Sequence, residues 1–252
     1  MKTLSIIIIV KNGGEFIERA LASSTWADEI IILDSGSTDR TLDIAKKYTN
    51  KIHKSNSWPG FGKQRQNAQK LSTSDWIFML DADEEISDDL QQSIKKIIHK
   101  EPKIYQVNRL SKAFGAEVKY SGWFPDWINR IYPNNLTTYN DALVHETLII
   151  PENHDPVKIS GILYHETYKN MKDYYQKMSL YIDAWSTQNV NKKNGGLFIG
   201  IIRGYWAFIK MYFFKLGFLD GSVGFTLALL RYETTVMKYV DLKIKKEVNK
   251  TN

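Results

Sequence analysis

Residues Ser5-Ile6-Ile7-Ile8-Ile9-Val10 form an unbroken run in which every residue after the serine is β-branched, and few folds accept such a segment. A strand of this kind carries apolar side chains on both faces. It therefore belongs inside a sheet covered on both sides, the usual setting of parallel strands. Six or seven apolar residues are too few for the apolar region of a secretion signal with its cleavage site.

Strand and helix patterns then alternate as a parallel sheet requires. After strand Leu4–Val10, the stripe Phe16, Ile17, Ala20 and Leu21 predicts a helix near Glu15–Ser24. Strand Glu29–Leu33 ends at Asp34, and a helix from about Asp39 to Tyr48 takes Ser37 or Thr38 as its cap. A short strand near Lys51–His53, a helix from about Gly62 to Leu71 and strand Asp75–Leu80 come next. Ser87 then caps a helix with Asp88 and Asp89 in its first turn and Lys95, Lys96 and Lys100 towards its end, matching the macrodipole. The pattern predicts an α/β fold with a doubly wound sheet, which binds ligands beyond the carboxyl ends of its strands. After Pro102 the order loosens: Ile104–Leu110, Val118–Tyr120, Ala142–Ile150 and Ile159–His165 read as strands, and Ser121–Pro133 as a loop rich in Gly, Trp and Pro. From about Lys169 the chain turns helical, with Asn191–Gly196 as a linker.

Charge is unevenly placed along the 252 residues. Residues 1–157 hold 19 basic and 21 acidic side chains, net −2, whereas residues 158–252 hold 15 and 7, net +8. An acidic front and a basic back suggest two tasks, the second towards an anionic partner. The absence of cysteine excludes disulfides, cysteine zinc sites, iron–sulfur ligation and thiol catalysis, and fits a reducing compartment. No stretch approaches the ~20 apolar residues of a membrane span, because Arg203, Lys210, Lys215, Asp220 and Arg231 interrupt the apolar tail. The expectation is a cytoplasmic protein. Nucleic acid is excluded as a partner, since the front half is acidic and carries no recognition motif.

Three carboxylates fall where such a sheet binds its ligand. Asp34 closes the second strand, and Asp81-Ala82-Asp83 follows the apolar strand Trp76–Leu80. Two carboxylates two residues apart on a turn can hold one hard divalent cation with its waters and a diphosphate. An acidic surface turn is the plain alternative. Gly60-Phe61-Gly62 is no dinucleotide fingerprint, since it lacks the third glycine and does not follow the first strand.

Segments Ser5–Lys11, Asp34-Ser35-Gly36-Ser37-Thr38-Asp39 and Leu80-Asp81-Ala82-Asp83-Glu84 resemble the nucleotide-sugar half of glycosyltransferase family 2, with its GT-A (Rossmann-like) fold. Gly60–Asn67 and Gly122-Trp123-Phe124-Pro125-Asp126-Trp127-Ile128-Asn129-Arg130 are similar, more narrowly, to bacterial lipopolysaccharide core β-glucosyltransferases. The likeness runs from about Leu4 to the Tyr-rich helix near Tyr175. It implies a catalytic domain over residues 1–190 and a basic, aromatic-rich helical region over 191–252.

The resemblance also implies roles. Asp34 would accept a hydrogen bond from uracil beside the Val10–Asn12 turn, with Asp39 near the nucleotide or the neighbouring turn. Lys63, Arg65 and Asn67 would reach the nucleotide or diphosphate. Asp81 would touch the ribose or a metal-bound water, and Asp83 would ligate Mg²⁺ or Mn²⁺. Asp126 matches the general base of inverting members, although Pro125 stands where the family often writes Glu. Arg130 would steady that base or the leaving diphosphate. His145 and His165, each before Glu-Thr, are either late metal ligands or structural histidines. Trp123 and Trp127 either stack on an acceptor sugar or pack their loop.

One base and one metal site imply single displacement with inversion. The implied reaction moves a hexose, glucose from UDP-glucose first, onto a lipopolysaccharide-core or related glycolipid or oligosaccharide acceptor. The alternatives are a transferase for another surface glycan and a non-catalytic membrane-associated binding protein. Leu197–Tyr232 carries ten of the 32 aromatics, interleaved with Arg203, Lys210, Lys215 and Arg231. That mixture suits the inner face of an anionic membrane, with a homo-oligomer interface or a helical cap as the other readings.

Overall fold

The computed structural model describes residues 2–143 and 146–251. Their packing divides into two units, Met1–Arg109 with Asp126–His165 and Leu110–Pro125 with Glu166–Asn252. The second unit thus takes in residues 110–125 together with the chain from Glu166 onward.

The first unit is built on β1 (Leu4–Val10), whose seven residues are all buried. Alternation sends Ile6, Ile8 and Val10 to one face, where they meet α1 (Ile17–Ala22), α2 (Thr41–Ala45) and α4 (Asp88–Ile97). Ile7 and Ile9 go to the other face, against Ala68 of α3 (Phe61–Gln69), Tyr139 and Leu148. Two-sided cover is what the β-branched run requires. On one side β1 pairs in parallel with β2 (Glu29–Asp34), which pairs in parallel with β3 (Ile52–Lys54); on the other it pairs in parallel with β4 (Trp76–Asp81). Ser87 caps α4 by accepting the Leu90 N–H, as the sequence predicts. α2 starts later than expected, with Arg40 at its cap position and no side-chain cap, while Ser37 accepts the Asn12 N–H.

Beyond β4 the sheet turns antiparallel. Its order is β3-β2-β1-β4-β8-β6-β9-β5, with β5 (Glu84–Ile86), β6 (Tyr105–Ala113), β8 (Asp126–Pro133) and β9 (Val157–Tyr168), while β7 (Ala116–Glu117) pairs β6. β8 occupies the segment expected to be a loop and pairs antiparallel with both β4 and β6. The strand expected over Ala142–Ile150 is not found among the described residues, where Leu148 makes only an isolated bridge to Tyr139.

The second unit is helical, with α5 (Met171–Asn189), α6 (Leu197–Ile209), a π-helical turn Lys210–Phe214, a 3₁₀ turn Gly217–Asp220 and α7 (Gly221–Thr251). Val118–Tyr120 forms no strand because Asp220 takes the N–H groups of Lys119 and Tyr120 and the Ser121 hydroxyl. Tyr174 of α5 donates to the Leu230 carbonyl at 3.0 Å and joins it to α7. One helical stretch, Leu197–Phe214, is long and apolar enough to cross a membrane by length and composition. That corrects the expectation of no such stretch: Arg203 and Lys210 are too sparse to interrupt it.

Candidate functional site

β1, β2 and β4 end at one sheet edge, where Val10 lies opposite Asp34 and Ile9 opposite Asp81. Because β8 runs antiparallel to β4, its first residue, Asp126, arrives at that same edge. β6 runs back antiparallel to β8 and places Arg109 directly opposite Asp126. Reversal of one strand thus adds a carboxylate and a guanidinium to the edge formed by the parallel half.

Seven side chains there form a continuous chain of alternating charge. Arg65 donates from Nε to Glu146 at 2.7 Å and from Nη2 to Asp81 at 2.6 Å. The other Asp81 oxygen accepts from Arg130, whose Nη2 also reaches Glu84 at 3.0 Å. Glu84 lies 3.5 Å from Arg109 Nη1. Arg109 donates to Asp126 Oδ2 from Nε at 2.9 Å and from Nη2 at 2.7 Å. The Asp126 N–H is fixed by Asn108 Oδ1, and its half-buried carboxylate keeps Oδ1 without a hydrogen-bond partner among the described residues.

Burial sets the electrostatics. Glu84, Arg65 and Arg130 are buried. Burial alone would raise the Asp81 carboxyl, but Arg130 and Arg65 outweigh it and hold the group well below the usual carboxylate range. Burial pushes Glu84 up, Arg130 opposes the shift and Asp81 reinforces it. Arg65 Nη1 and Arg130 Nε are buried with no partner among the described residues.

Of the two roles expected of Arg130, steadying Asp126 or steadying the leaving diphosphate, the first has no counterpart in its contacts. The β6–β8 register shifts between Gln106 opposite Asn129 and Tyr105 opposite Ile131, so Arg130 is the extra residue of a bulge. It pairs with Asp81 and Glu84, and Arg109 takes the place beside Asp126. Asp81, expected near a metal, has both oxygens committed to arginines. Arg109, Glu84 and Glu146 are the members that sequence reasoning misses. Glu146 stands inside the first His-Glu-Thr, where the histidine is the evident ligand candidate, and Arg109 lies in a strand that alternates apolar with polar residues and belongs to no recognisable motif.

The loops after β1 and β2 are tied together. Asn12, at φ +55°, gives its N–H to Ser37 Oγ at 2.8 Å and accepts the Thr38 N–H at 2.8 Å. Asp34 is buried and accepts the N–H groups of Gly36 and Ser37. Asp39 accepts from Gly14 and Thr41, and these bonds hold its carboxyl below its ordinary value against a burial effect that would raise it.

α3 carries the remaining expected donor contacts. Lys63 is exposed, 3.8 Å from Asp141, and Asn67 is half-buried. Its first N–H groups are already used: Phe61 donates to Leu143 O and Gly62 to Ala142 O, both at 3.1 Å. The glycines serve this close approach, since a Cβ on Gly62 would lie 2.0 Å from the Asn140 carbonyl oxygen. Gly62→Ala is expected to destabilise the protein by roughly 1–3 kcal/mol, measured as a lower urea midpoint at unchanged slope.

Asp83 Oδ2 and His165 Nε2 lie 3.4 Å apart, at the turn after β4 and on β9. Among the described residues no group of three or more His, Asp or Glu is arranged to hold a metal ion. His145 lies outside the described residues. Trp123 packs edge-on against Tyr168 at 6.0 Å, and the ring of Trp127 lies 4.9 Å from Lys158 Nζ.

The fold is α/β, with a mixed sheet that gathers carboxylates and arginines at its strand ends. The sequence model of Glycosyl transferase family 2 matches residues 5–152, more than half of the chain, and the chain belongs to that family. It is 27% identical over 244 residues to an uncharacterized glycosyltransferase of Rickettsia typhi, covering 91% of this chain and 83% of the relative. It is 29% identical over 99 residues to the lipopolysaccharide core biosynthesis glycosyltransferase LpsC of Rhizobium meliloti, covering 38% and 37%. Among solved structures it is similar to glucosyl-3-phosphoglycerate synthase of Mycobacterium tuberculosis in complex with Mg²⁺ and UDP, at 21% identity and TM-score 0.37 over 44% of each chain.

Proposed function

We propose that this family 2 glycosyltransferase moves a hexose, with UDP-glucose as the first candidate donor, onto a lipopolysaccharide-core or related glycolipid acceptor with inversion. The observation that carries the reading is the Asp126 carboxylate: half-exposed at the strand-end edge, held through Oδ2 by Arg109 and open at Oδ1. A general base must be fixed yet reachable. Asp126 Oδ1 takes the proton of the acceptor hydroxyl, whose oxygen attacks the anomeric carbon as the bond to the diphosphate breaks. Attack opposite the leaving group converts an α-linked donor into a β-linked product.

Donor binding is assigned to the remaining edge. Uridine lies against the tied loops at Val10, Asn12, Asp34 and Asp39, with Asp34 shaping the turn. Lys63 and Asn67 face the nucleotide end. A buried N–H without a partner costs about 1–3 kcal/mol, so the free donors on Arg65 and Arg130 favour an anionic neighbour. Asp81 serves as the part-buried anion that orients both arginines rather than as a metal ligand.

The Asp83–His165 pair fits a divalent cation that draws its other ligands from water and diphosphate oxygens. Mg²⁺ or Mn²⁺ there would supply neutralisation of the leaving diphosphate. The test is a panel of UDP- and GDP-sugars with the purified chain, each with Mg²⁺, Mn²⁺ or EDTA. Hydrolysis or transfer from a UDP-hexose that stops in EDTA is the expected result, and full activity in EDTA removes the cation. Asp83→Asn is expected to raise the cation concentration for half-maximal rate by at least about tenfold. Arg109→Lys, which keeps the charge but loses the paired donors, is expected to lower kcat about ten- to a hundredfold at unchanged donor KM.

A further inference from the structure

The second unit presents an apolar surface that the chemistry of the strand-end edge does not use. Phe198, Ile202, Tyr205 and Ile209 fall on one stripe of α6, three or four residues apart, and Phe213 and Phe214 continue it through the π-helical turn. All six are exposed, Phe198 to 75% and Phe214 to 68%. The opposite side of α6 is closed: a Cβ on Gly200 would meet the Val236 carbonyl oxygen at 2.9 Å, and one on Gly204 the Tyr232 ring at 2.9 Å. Gly196, Gly200 and Gly204 thus recur every four residues, and the last two seat α6 on α7 with little space between the helices. A continuous exposed stripe of this composition marks an interaction surface.

Charge identifies the occupant. From Asn191 to Leu219 the sequence has five cations, Lys192, Lys193, Arg203, Lys210 and Lys215, and no acidic residue. Arg203 and Lys210, seven residues apart and both exposed, lie along the border between the stripe and the glycine side, and the Arg203 guanidinium rests 5.5 Å over the Tyr239 ring. A second copy docking on the same face would bring like charges together. An acyl surface rimmed by phosphates accepts both the rings and the cations. A spanning arrangement is disfavoured because α7, on which α6 is seated, carries Arg231, Glu233, Lys238 and Asp241 along its length.

We propose that α6 and its following turn lie in the plane of an anionic lipid surface, rings inserted and Arg203, Lys210 and Lys215 at the phosphates. The test is sedimentation of the full chain with vesicles of phosphatidylcholine alone or with one third phosphatidylglycerol, at low and high salt. The expected result is binding to the anionic vesicles, weakened by salt, with little binding to the neutral ones. Phe198→Ser with Phe214→Ser, and separately Lys210→Glu with Lys215→Glu, are each expected to lower the partition coefficient about tenfold or more. These positions are exposed, and an unchanged circular dichroism melt shows that the fold is retained. If a variant does not fold, quenching of tryptophan fluorescence in the unaltered chain by brominated lipid decides, Trp206 being exposed beside the stripe. Equal binding to neutral vesicles, no binding to either, or undiminished binding by both variants overturns the proposal. Concentration-dependent dimers that Phe198→Ser with Phe214→Ser abolishes, without vesicle binding, assign the face to a second copy and also overturn it.

Discussion

Replacing Asp126 by asparagine is expected to lower turnover about 10²- to 10⁴-fold, the range for loss of a positioned base, while UDP-sugar affinity stays unchanged. The substitution keeps size and shape, so Asn108 still fixes the start of β8 through its backbone bond. Arg109 retains a neutral oxygen to which it donates. What is lost is a charged oxygen able to receive the acceptor's proton. The measurement is single-turnover transfer beside calorimetric titration of UDP. Near-normal turnover places the base elsewhere, whereas lost UDP binding makes Asp126 part of donor recognition.

The second large effect belongs to Arg130. Arg130→Ala is expected to destabilise the protein by about 3–5 kcal/mol, the cost of leaving a buried ion pair with one member. Asp81 and Glu84 both face its guanidinium, and Glu84 is fully buried. Removal leaves two neighbouring carboxylates with Arg65, Arg109 and His165 to compensate. Glu84→Gln in the Arg130→Ala background is expected to recover part of the loss, because one of the two clustered charges is gone. Urea unfolding of the single and double variants measures both values. A change below about 1 kcal/mol, the level of an exposed pair, would show that the network is solvated.

The parallel half is legible because its signals are local. β1, β2 and β4 are apolar runs, and Ser87 caps α4 through a motif contained in four residues. The antiparallel half is not. In Asp126-Trp127-Ile128-Asn129-Arg130-Ile131-Tyr132-Pro133 the polar residues alternate poorly, and the bulge at Arg130 shifts the period partway. Pro125 and Gly122 just before it signal a loop. Its strand character comes from β4 and β6 on either side, which is tertiary information.

The candidate site divides in the same way. Asp34, Asp81, Asp83 and Asp126 can be singled out because each sits in a short motif. Their partners cannot, because pairing depends on register. Arg109 faces Asp126 across two strands, and Glu146 meets Arg65 from 81 residues away. Nothing in the composition of Asp34-Ser35-Gly36-Ser37 shows that the Asp34 carboxylate is occupied by its own turn.

The place of β8 has a consequence for how the chain is made. β4 is complete at residue 81, but the strand that covers its open side begins at residue 126. Between those points a nascent chain carries Trp76-Ile77-Phe78-Met79-Leu80 as a bare apolar edge, the kind of template on which other chains pair. Synthesis at about 5–20 residues per second makes that interval a few seconds. Any fragment that stops short of Pro133 retains the open edge permanently, so aggregation rather than slow folding is its expected fate.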